Sequence, residues 1–297
     1  MAVTFNPDSD ISGGNVKRRG RGAAIGGGVG IVGVIVVFVV SQLTGVDIGG
    51  LIGGGGQPGP AASDEALAEC KTGDDANDSV DCLMKGAAAS IQDYWVDAYP
   101  SVAGNEYVTP QFVLFEQSTT TGCGGASSST GPFYCPPDQT IYIDTSFFQQ
   151  LRQPPFDTTG GTLAQMYIAA HEWGHHIQNI SGIMDSADRT GTGPDSDSVR
   201  IELQADCFAG AWVAAASKTE DSSGANFLEV PTEAQVADAL DAAAAVGDDR
   251  IQQGSGQGVN SEAWTHGSSE QRQRWFTAGY QNGADACDTF AVEGSRL

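Results

Sequence analysis

Ala169-Ala170-His171-Glu172-Trp173-Gly174-His175-His176-Ile177 is the stretch on which the fold and chemistry of this chain turn, because His171 and His175 stand four apart with Glu172 between them. On a helix that spacing puts both imidazoles on one face, within reach of a single metal ion, while Glu172, one position round, can address a water on that ion. The reading therefore requires a helix here. The surroundings predict one from about Leu163 to Ile180: Gly160-Gly161 breaks what precedes, Thr162 and Gln165 have capping-box spacing, Leu163, Met166, Tyr167 and Ala170 form an apolar stripe, and Ser181-Gly182 supplies a stop.

Catalytic zinc commonly takes three protein ligands and keeps its fourth position for water. The chain has only four histidines, so the remaining candidates can be counted. An extended motif with a glycine at 178 and a third histidine at 181 is excluded, since Gln178 and Ser181 stand there. His176 falls on a different helix face from His171 and His175, a second-layer or exposed position. The better source is Glu202-Leu203-Gln204-Ala205-Asp206, on a helix predicted from about Val199 to Ser217. Glu202 and Asp206 share a face, so Glu202 can coordinate the metal while Asp206 accepts a hydrogen bond from the far nitrogen of a ligand histidine. Ile201, Leu203, Ala205, Phe208, Ala209, Ala211 and Trp212 surround them, and two carboxylates on so apolar a helix need a compensating partner. His266 is the rival third ligand.

The net charge is -23, and four of the 14 basic residues, Lys17, Arg18, Arg19 and Arg21, crowd into the N-terminus. So acidic a body repels phosphate backbones, and no nucleic-acid partner is expected. Six cysteines without a Cys-x-x-Cys read as disulfides in an oxidising compartment. The short spans suggest Cys70 with Cys82 and Cys123 with Cys135, leaving Cys207 with Cys287.

Residues 1–22 are polar, glycine-rich and basic, and read as a disordered cytoplasmic tail. Residues 23–46 carry the run Ile31 to Val40 and reach the length of a bilayer-spanning helix, a lipid anchor with the N-terminus inside. Residues 47–62 read as a Gly/Pro-rich linker, and residues 63–297 as the extracytoplasmic domain. Within that domain, helical pattern covers about Ala61 to Cys70, Val80 to Tyr99, and Thr232 to Val246 with a capping box in Thr232 and Gln235; another helix opens at Ser268-Ser269-Glu270-Gln271. Tyr107 to Glu116 and Gln139 to Asp144 read as strands, while Ser118 to Gly131, Met184 to Ser198 and Gly247 to Asn260 read as loops. The class is α+β, mainly helical with a small sheet. The strand ending at Asp144 precedes the metal helix and is expected to be the edge on which an extended peptide adds.

His171-Glu172-Trp173-Gly174-His175 followed by Glu202-Leu203-Gln204-Ala205-Asp206 resembles the gluzincin metallopeptidases. With Tyr134-Cys135-Pro136, Ile141-Tyr142-Ile143-Asp144, His176-Ile177-Gln178, Cys207 and His266-Gly267-Ser268-Ser269-Glu270-Gln271-Arg272 added, the chain more narrowly resembles the neutral zinc metallopeptidase family, single-pass bacterial membrane proteins, over nearly all of residues 63–290. The resemblance implies a gluzincin-like domain with one catalytic Zn2+ on His171, His175 and Glu202, and Glu172 as the catalytic base. Thr265-His266 with Arg272 also resembles the Thr-His-Pro-x-x-x-x-Arg segment of heat-shock and CAAX-type membrane metallopeptidases, with Gly267 in place of proline. There the histidine lies near the substrate carbonyl, so His266, just ahead of a helix, is placed to donate to a developing oxyanion. Arg272 can hold the acidic site together or pair with Glu202 or Asp206. The expected activity is membrane-tethered zinc-dependent hydrolysis of peptide bonds in extended peptide or protein substrates. A non-catalytic zinc-containing module that holds peptides is compatible with every motif, and a hydrolase of cell-wall peptides would share the zinc chemistry but need a different cleft.

Overall fold

Phe112-Val113-Leu114-Phe115 and Ile141-Tyr142-Ile143 are apolar without alternation, the pattern of strands covered on both faces. The computed structural model, which describes residues 4–19, 62–63, 67–154, 156–254, 256 and 258–297, places them at the centre of a sheet. Strands β1 (Val16–Arg19), β2 (Ala62–Ser63), β3 (Gln111–Phe115), β6 (Phe133–Cys135) and β7 (Thr140–Asp144) lie in the order β2-β1-β3-β7-β6. β1, β3 and β7 run parallel, and the outer strands run antiparallel to their neighbours. The pleat divides the side chains: Phe112, Leu114, Ile141 and Ile143 face the helices, and Val113, Phe115, Phe133 and Tyr142 face the hairpin of β4 (Ser118–Thr121) and β5 (Gly124–Ser127). The Cys123–Cys135 disulfide ties that hairpin to β6.

The helices are α1 (Gly73–Asp78), α2 (Val80–Val102), α3 (Phe147–Gln150), α4 (Thr162–Ile180), α5 (Ile183–Ser186), α6 (Asp197–Ala216), α7 (Glu233–Ala245), α8 (Asp248–Gly254) and α9 (Ser269–Asn282). The α+β class, the motif-bearing helices α4 and α6, the Thr232/Gln235 capping box and the helix opening at Ser268 match the sequence reading, and the last of these starts behind a Ser268/Gln271 box. Of the helix predicted around 61–70, the described residues 62–63 form β2 and 67–70 form no α-helix, while α1 follows behind its own Thr72/Asp75 capping box. The expected loops contain the β4–β5 hairpin, α5 and α8.

Three glycine contacts bring α6 close to its neighbours. A Cβ at Gly279 would lie 1.8 Å from the Cys207 carbonyl oxygen, and one at Gly210 would lie 2.0 Å from that of Phe276, so α6 and α9 cross almost backbone to backbone. On the other side of α6, a Cβ at Gly174 would lie 2.9 Å from Ala205 Cα. The third disulfide, Cys207–Cys287, pins α6 to the end of the chain, and Cys70–Cys82 joins α2 to the segment before it. All three pairings are those the spacings suggest.

The N-terminal reading needs correction. Residues 4–19 are folded into the domain: Phe5 and Ile11 are completely buried, Val16 nearly so, and β1 fills the position between β2 and β3. The basic residues that read as a tail have partners far along the chain. Arg18 pairs with Asp81 at 3.2 Å and with Glu116, while Arg19 donates to the Thr119 hydroxyl at 2.7 Å and sits over the Tyr142 ring. The expected single-pass location is corrected with it. Among the described residues no helix is long and apolar enough to cross a membrane. A cytoplasmic tail and an extracytoplasmic body would lie on opposite sides of a bilayer, yet β1 and β3 are hydrogen-bonded neighbours. Residues 23–46, where the span was expected, and 47–61 of the linker lie outside the described residues.

Candidate metal centre

Helix α4 runs from Thr162, with Gly161 at its N-cap, and closes where Ser181-Gly182 turns, Gly182 adopting a φ of 79°. Its start differs from expectation. Thr162 is already helical, the predicted box with Gln165 does not form, and the Gly161 amide donates instead to Asp238 of α7 at 2.9 Å. A carboxylate supplied from another helix thus satisfies the positive end of α4.

The i, i+4 spacing places His171 and His175 side by side, with ring centroids 4.7 Å apart. Gly174 allows α6 to pack against this turn at Ala205, and Ala205 lies between Glu202 and Asp206, so the close crossing delivers both carboxylates to the histidines. Glu202 Oε2 lies 3.2 Å from His171 Nε2, and Oε1 lies 3.5 Å from His175 Nε2. Two ligands about 2.0–2.1 Å from a tetrahedral zinc ion stand roughly 3.4 Å apart, so this spacing suits that ion. His171, His175 and Glu202 form the one group among the described residues whose ligand atoms gather tightly enough to hold a metal, all within 4.8 Å of one another. The donor set, two imidazoles and a carboxylate, is one that zinc takes.

The outer nitrogens of both rings are occupied. His171 Nδ1 lies 2.8 Å from Asp206 Oδ1, and His175 Nδ1 lies 2.9 Å from Gln178 Oε1. Each Nδ1–H donates to an oxygen, which turns each Nε2 inward toward Glu202. Gln178 is itself held, its amide donating to the Ile201 carbonyl at 2.7 Å and to Gln204 at 3.1 Å. Asp206 is fully buried and receives three further donors: Arg272 Nε at 2.7 Å, Arg272 Nη2 at 2.8 Å and the Tyr167 hydroxyl. Of the two roles left open for Arg272, the structure shows the pairing with Asp206. A buried guanidinium forked onto a buried carboxylate offsets a desolvation cost that neither could meet alone.

Burial pushes the Asp206 and Glu202 carboxyls up, but their partners outweigh it and both stay low. The Arg272 and His171 charges do this for Asp206; His175, His171 and His266 do it for Glu202. For His171 burial acts downward, yet the Asp206 charge and the hydrogen bonds of Asp206 and Glu202 hold it up at about 9. Glu172 is the one carboxyl of the group that is raised, chiefly by burial, with partial relief from the two histidine charges and from the backbone amide of Tyr134.

His266 is not gathered with the three residues that could hold a metal, but it lines the same cavity. Its Nδ1 lies 3.1 Å from Asp248 Oδ1, and Asp248 Oδ2 accepts the amides of Thr265 and His266 at 2.7 Å each and of Gly267 at 3.1 Å. Gly267 sits at a φ of 85°, a conformation closed to proline, so this backbone differs from the Thr-His-Pro segment it resembles in sequence. His176 is neither exposed nor near the ligands' face. It is fully buried, with Nδ1 3.0 Å from the Tyr134 hydroxyl and Nε2 against the Val108 carbonyl, and burial lowers it to about 4.

The sheet edge beside the site is β6, not the strand ending at Asp144: β7 is enclosed between β3 and β6. Tyr134, at the middle of β6, pairs with Ile141 across the ladder, while its amide is directed at Glu172. Sequence reasoning missed Tyr167, Gln178 and Asp248 as supports. Tyr167 stands four before His171 and Gln178 three after His175, so helical spacing offered a signal for both; Asp248 had no local one.

An α+β domain with a buried His-His-Glu triad and an adjoining glutamate has the build of a metal-dependent hydrolase. Comparison of sequences narrows this: residues 6–290 match the family described as "Putative neutral zinc metallopeptidase", and the chain belongs to that family. The uncharacterized protein Rv2575 of Mycobacterium tuberculosis (strain H37Rv) is 45% identical over 258 residues, covering 85% of each chain. The uncharacterized protein YpfJ of Escherichia coli K12 is 35% identical over 291 residues, covering 95% of this chain and 94% of its own. No solved structure matches.

Proposed function

We propose that the protein is a zinc-dependent endopeptidase in which His171, His175 and Glu202 hold one ion, Glu172 is the general base and His266 faces the substrate carbonyl. The observation that carries the reading is the inward turn of both Nε2 atoms onto Glu202, with each Nδ1 anchored from behind. A zinc ion bound there would supply Lewis-acid polarisation of a water molecule and of the scissile carbonyl. Glu172, whose carboxyl burial raises, takes the proton from that water and returns it to the departing nitrogen. His266, anchored on Asp248, presents its other ring nitrogen to the carbonyl oxygen as negative charge develops there. Asp206 and Arg272 keep the His171 ring in one orientation and one tautomer. An extended substrate lies along β6, the end strand of the sheet beside the site, with main-chain contacts that align it whatever its side chains.

The test is zinc content and peptide cleavage, measured on the full chain and on its Glu172→Gln variant. One zinc in each with cleavage only in the parent is the expected result. Zinc in both without cleavage of a broad peptide pool would favour a peptide-holding module, and zinc in neither would end the proposal.

A further inference from the structure

Helix α4 is buried almost everywhere, but one stripe keeps a trace of exposure: Ile168 at 9%, His171 at 7%, Glu172 at 8% and His175 at 8%. The spacing is that of a single helix face, and these four residues line one cavity. Three of them belong to the chemistry already described. Ile168 does not, and it marks a part of the cavity where the lining changes character.

We propose that this part, walled by Ile168, Phe147, Phe156, Val246 and Ile251, is the specificity pocket of the enzyme and takes one large apolar side chain, such as that of Phe, Leu or Met, next to the cleaved bond. The proposal rests on the peptidase reading above. The Phe147 and Phe156 rings meet edge to face with centroids 5.8 Å apart, and α8 closes the wall beside them. There Arg250 donates to the Phe156 carbonyl at 2.6 Å and pairs with Asp241 at 2.9 Å, which locks its charge onto other groups while Ile251 joins the lining. These five walls offer only carbon to an occupant, so a carboxylate or ammonium buried against them would lose its hydration without return. Arg272, whose Nη1 donates to the Val246 carbonyl at 3.3 Å, is already forked onto Asp206, so its charge is matched before any occupant arrives. The cavity totals about 130 Å³. That volume includes the space beside His171, Glu172 and Glu202, and a dry apolar cavity of about 150 Å³ holds one benzene ring, so the five apolar walls leave room for no more than one side chain. Because the pocket is continuous with Glu172 and His266, its occupant belongs to a residue flanking the scissile bond.

The test separates the pocket from the chemistry by measuring binding without turnover. Full-length Glu172→Gln protein loaded with zinc is titrated calorimetrically with three matched hydroxamic acids whose side chain is benzyl, methyl or aminobutyl. The benzyl compound should bind at least tenfold tighter than the methyl one, and the aminobutyl compound no better than methyl. Adding Ile168→Phe, which fills the pocket, should cut the benzyl preference to below about threefold, whereas Ile168→Ala should keep it. Equal binding of benzyl and methyl compounds, or a preference untouched by Ile168→Phe, overturns the pocket and leaves the metal centre standing. Zinc held with none of the three bound also overturns it. A protein that holds no zinc refutes the peptidase reading itself, and this one with it.

Discussion

Gly174→Ala is the substitution that most directly tests how the fold assembles its metal-binding group. The added methyl would lie 2.9 Å from Ala205 Cα and 3.1 Å from both the Ala205 Cβ and carbonyl oxygen. Carbon contacts relax at about 3.5–4.0 Å, so α4 and α6 must part by roughly 0.5–1 Å at this crossing. Overpacking of that kind costs about 1–3 kcal/mol, and replacing glycine by alanine inside a helix returns about 1 kcal/mol. The net loss of about 0–2 kcal/mol leaves the protein folded. The metal group fares worse, because Glu202 and Asp206 flank Ala205 and move with it. The 3.2 and 3.5 Å spacings to His171 and His175 and the 2.8 Å anchor of His171 on Asp206 all lengthen together. Disturbing such anchors typically costs 10–100-fold in metal affinity. Urea unfolding of the metal-free protein and chelator competition for zinc measure the two effects separately. Zinc affinity equal to the parent's in a folded Gly174→Ala protein would refute the argument that this close approach sets the ligand spacing.

The remaining predictions concern other parts of the same machinery. His176 is held neutral at about 4 in the fold against an ordinary 6.5. Its contribution is therefore intact above pH 6.5 and is lost as pH falls toward 4, by about 3 kcal/mol. Unfolding free energies across that range should fall less steeply in His176→Gln than in the parent, and identical slopes would count against it. A fragment of residues 63–297 loses β1 and the buried Phe5, Ile11 and Val16. At about 1.5–3 kcal/mol for each large apolar side chain, it should not fold to the parent's circular dichroism spectrum, and a well-folded fragment would contradict the N-terminal packing. Asp248→Asn should keep zinc bound but lower turnover roughly 10–100-fold, since His266 loses its anchoring charge; unchanged turnover would remove His266 from the reaction. Chelation of zinc should lower the melting temperature of the parent and leave that of a His171→Ala variant unmoved.

Much of what was legible in the sequence repeats at helical spacing. His171 and His175, Glu202 and Asp206, and the capping box of α7 each depend on residues three or four apart and are found where the pattern placed them, whereas the Thr162/Gln165 box read on the same ground does not form. What was not legible is held together across the chain. Lys17-Arg18-Arg19 has the composition of a solvated tail, and only the tertiary fold shows that Asp81, Glu116, Thr119 and Tyr142 receive it. The sheet edge was misassigned for a similar reason. β6 is three residues long and follows a Ser/Thr/Gly-rich stretch, so nothing local shows that it shields β7. Asp248 belongs with these cases, its role appearing only when α8 is packed against the loop carrying His266.

The antiparallel pairing of Arg19 with Ala62 has a further consequence for the covalent path of the chain. Paired strands lie about 4.8 Å apart, so everything from residue 20 to residue 61 departs from and returns to nearly one point on the domain. A four-residue turn could make the same closure between Arg19 and Ala62. Shortening the stretch so far would lower the entropy of closure by about 2 kcal/mol. The shortened chain should be the more stable one, with its metal-binding residues undisturbed and the natural segment left to whatever task its own sequence serves.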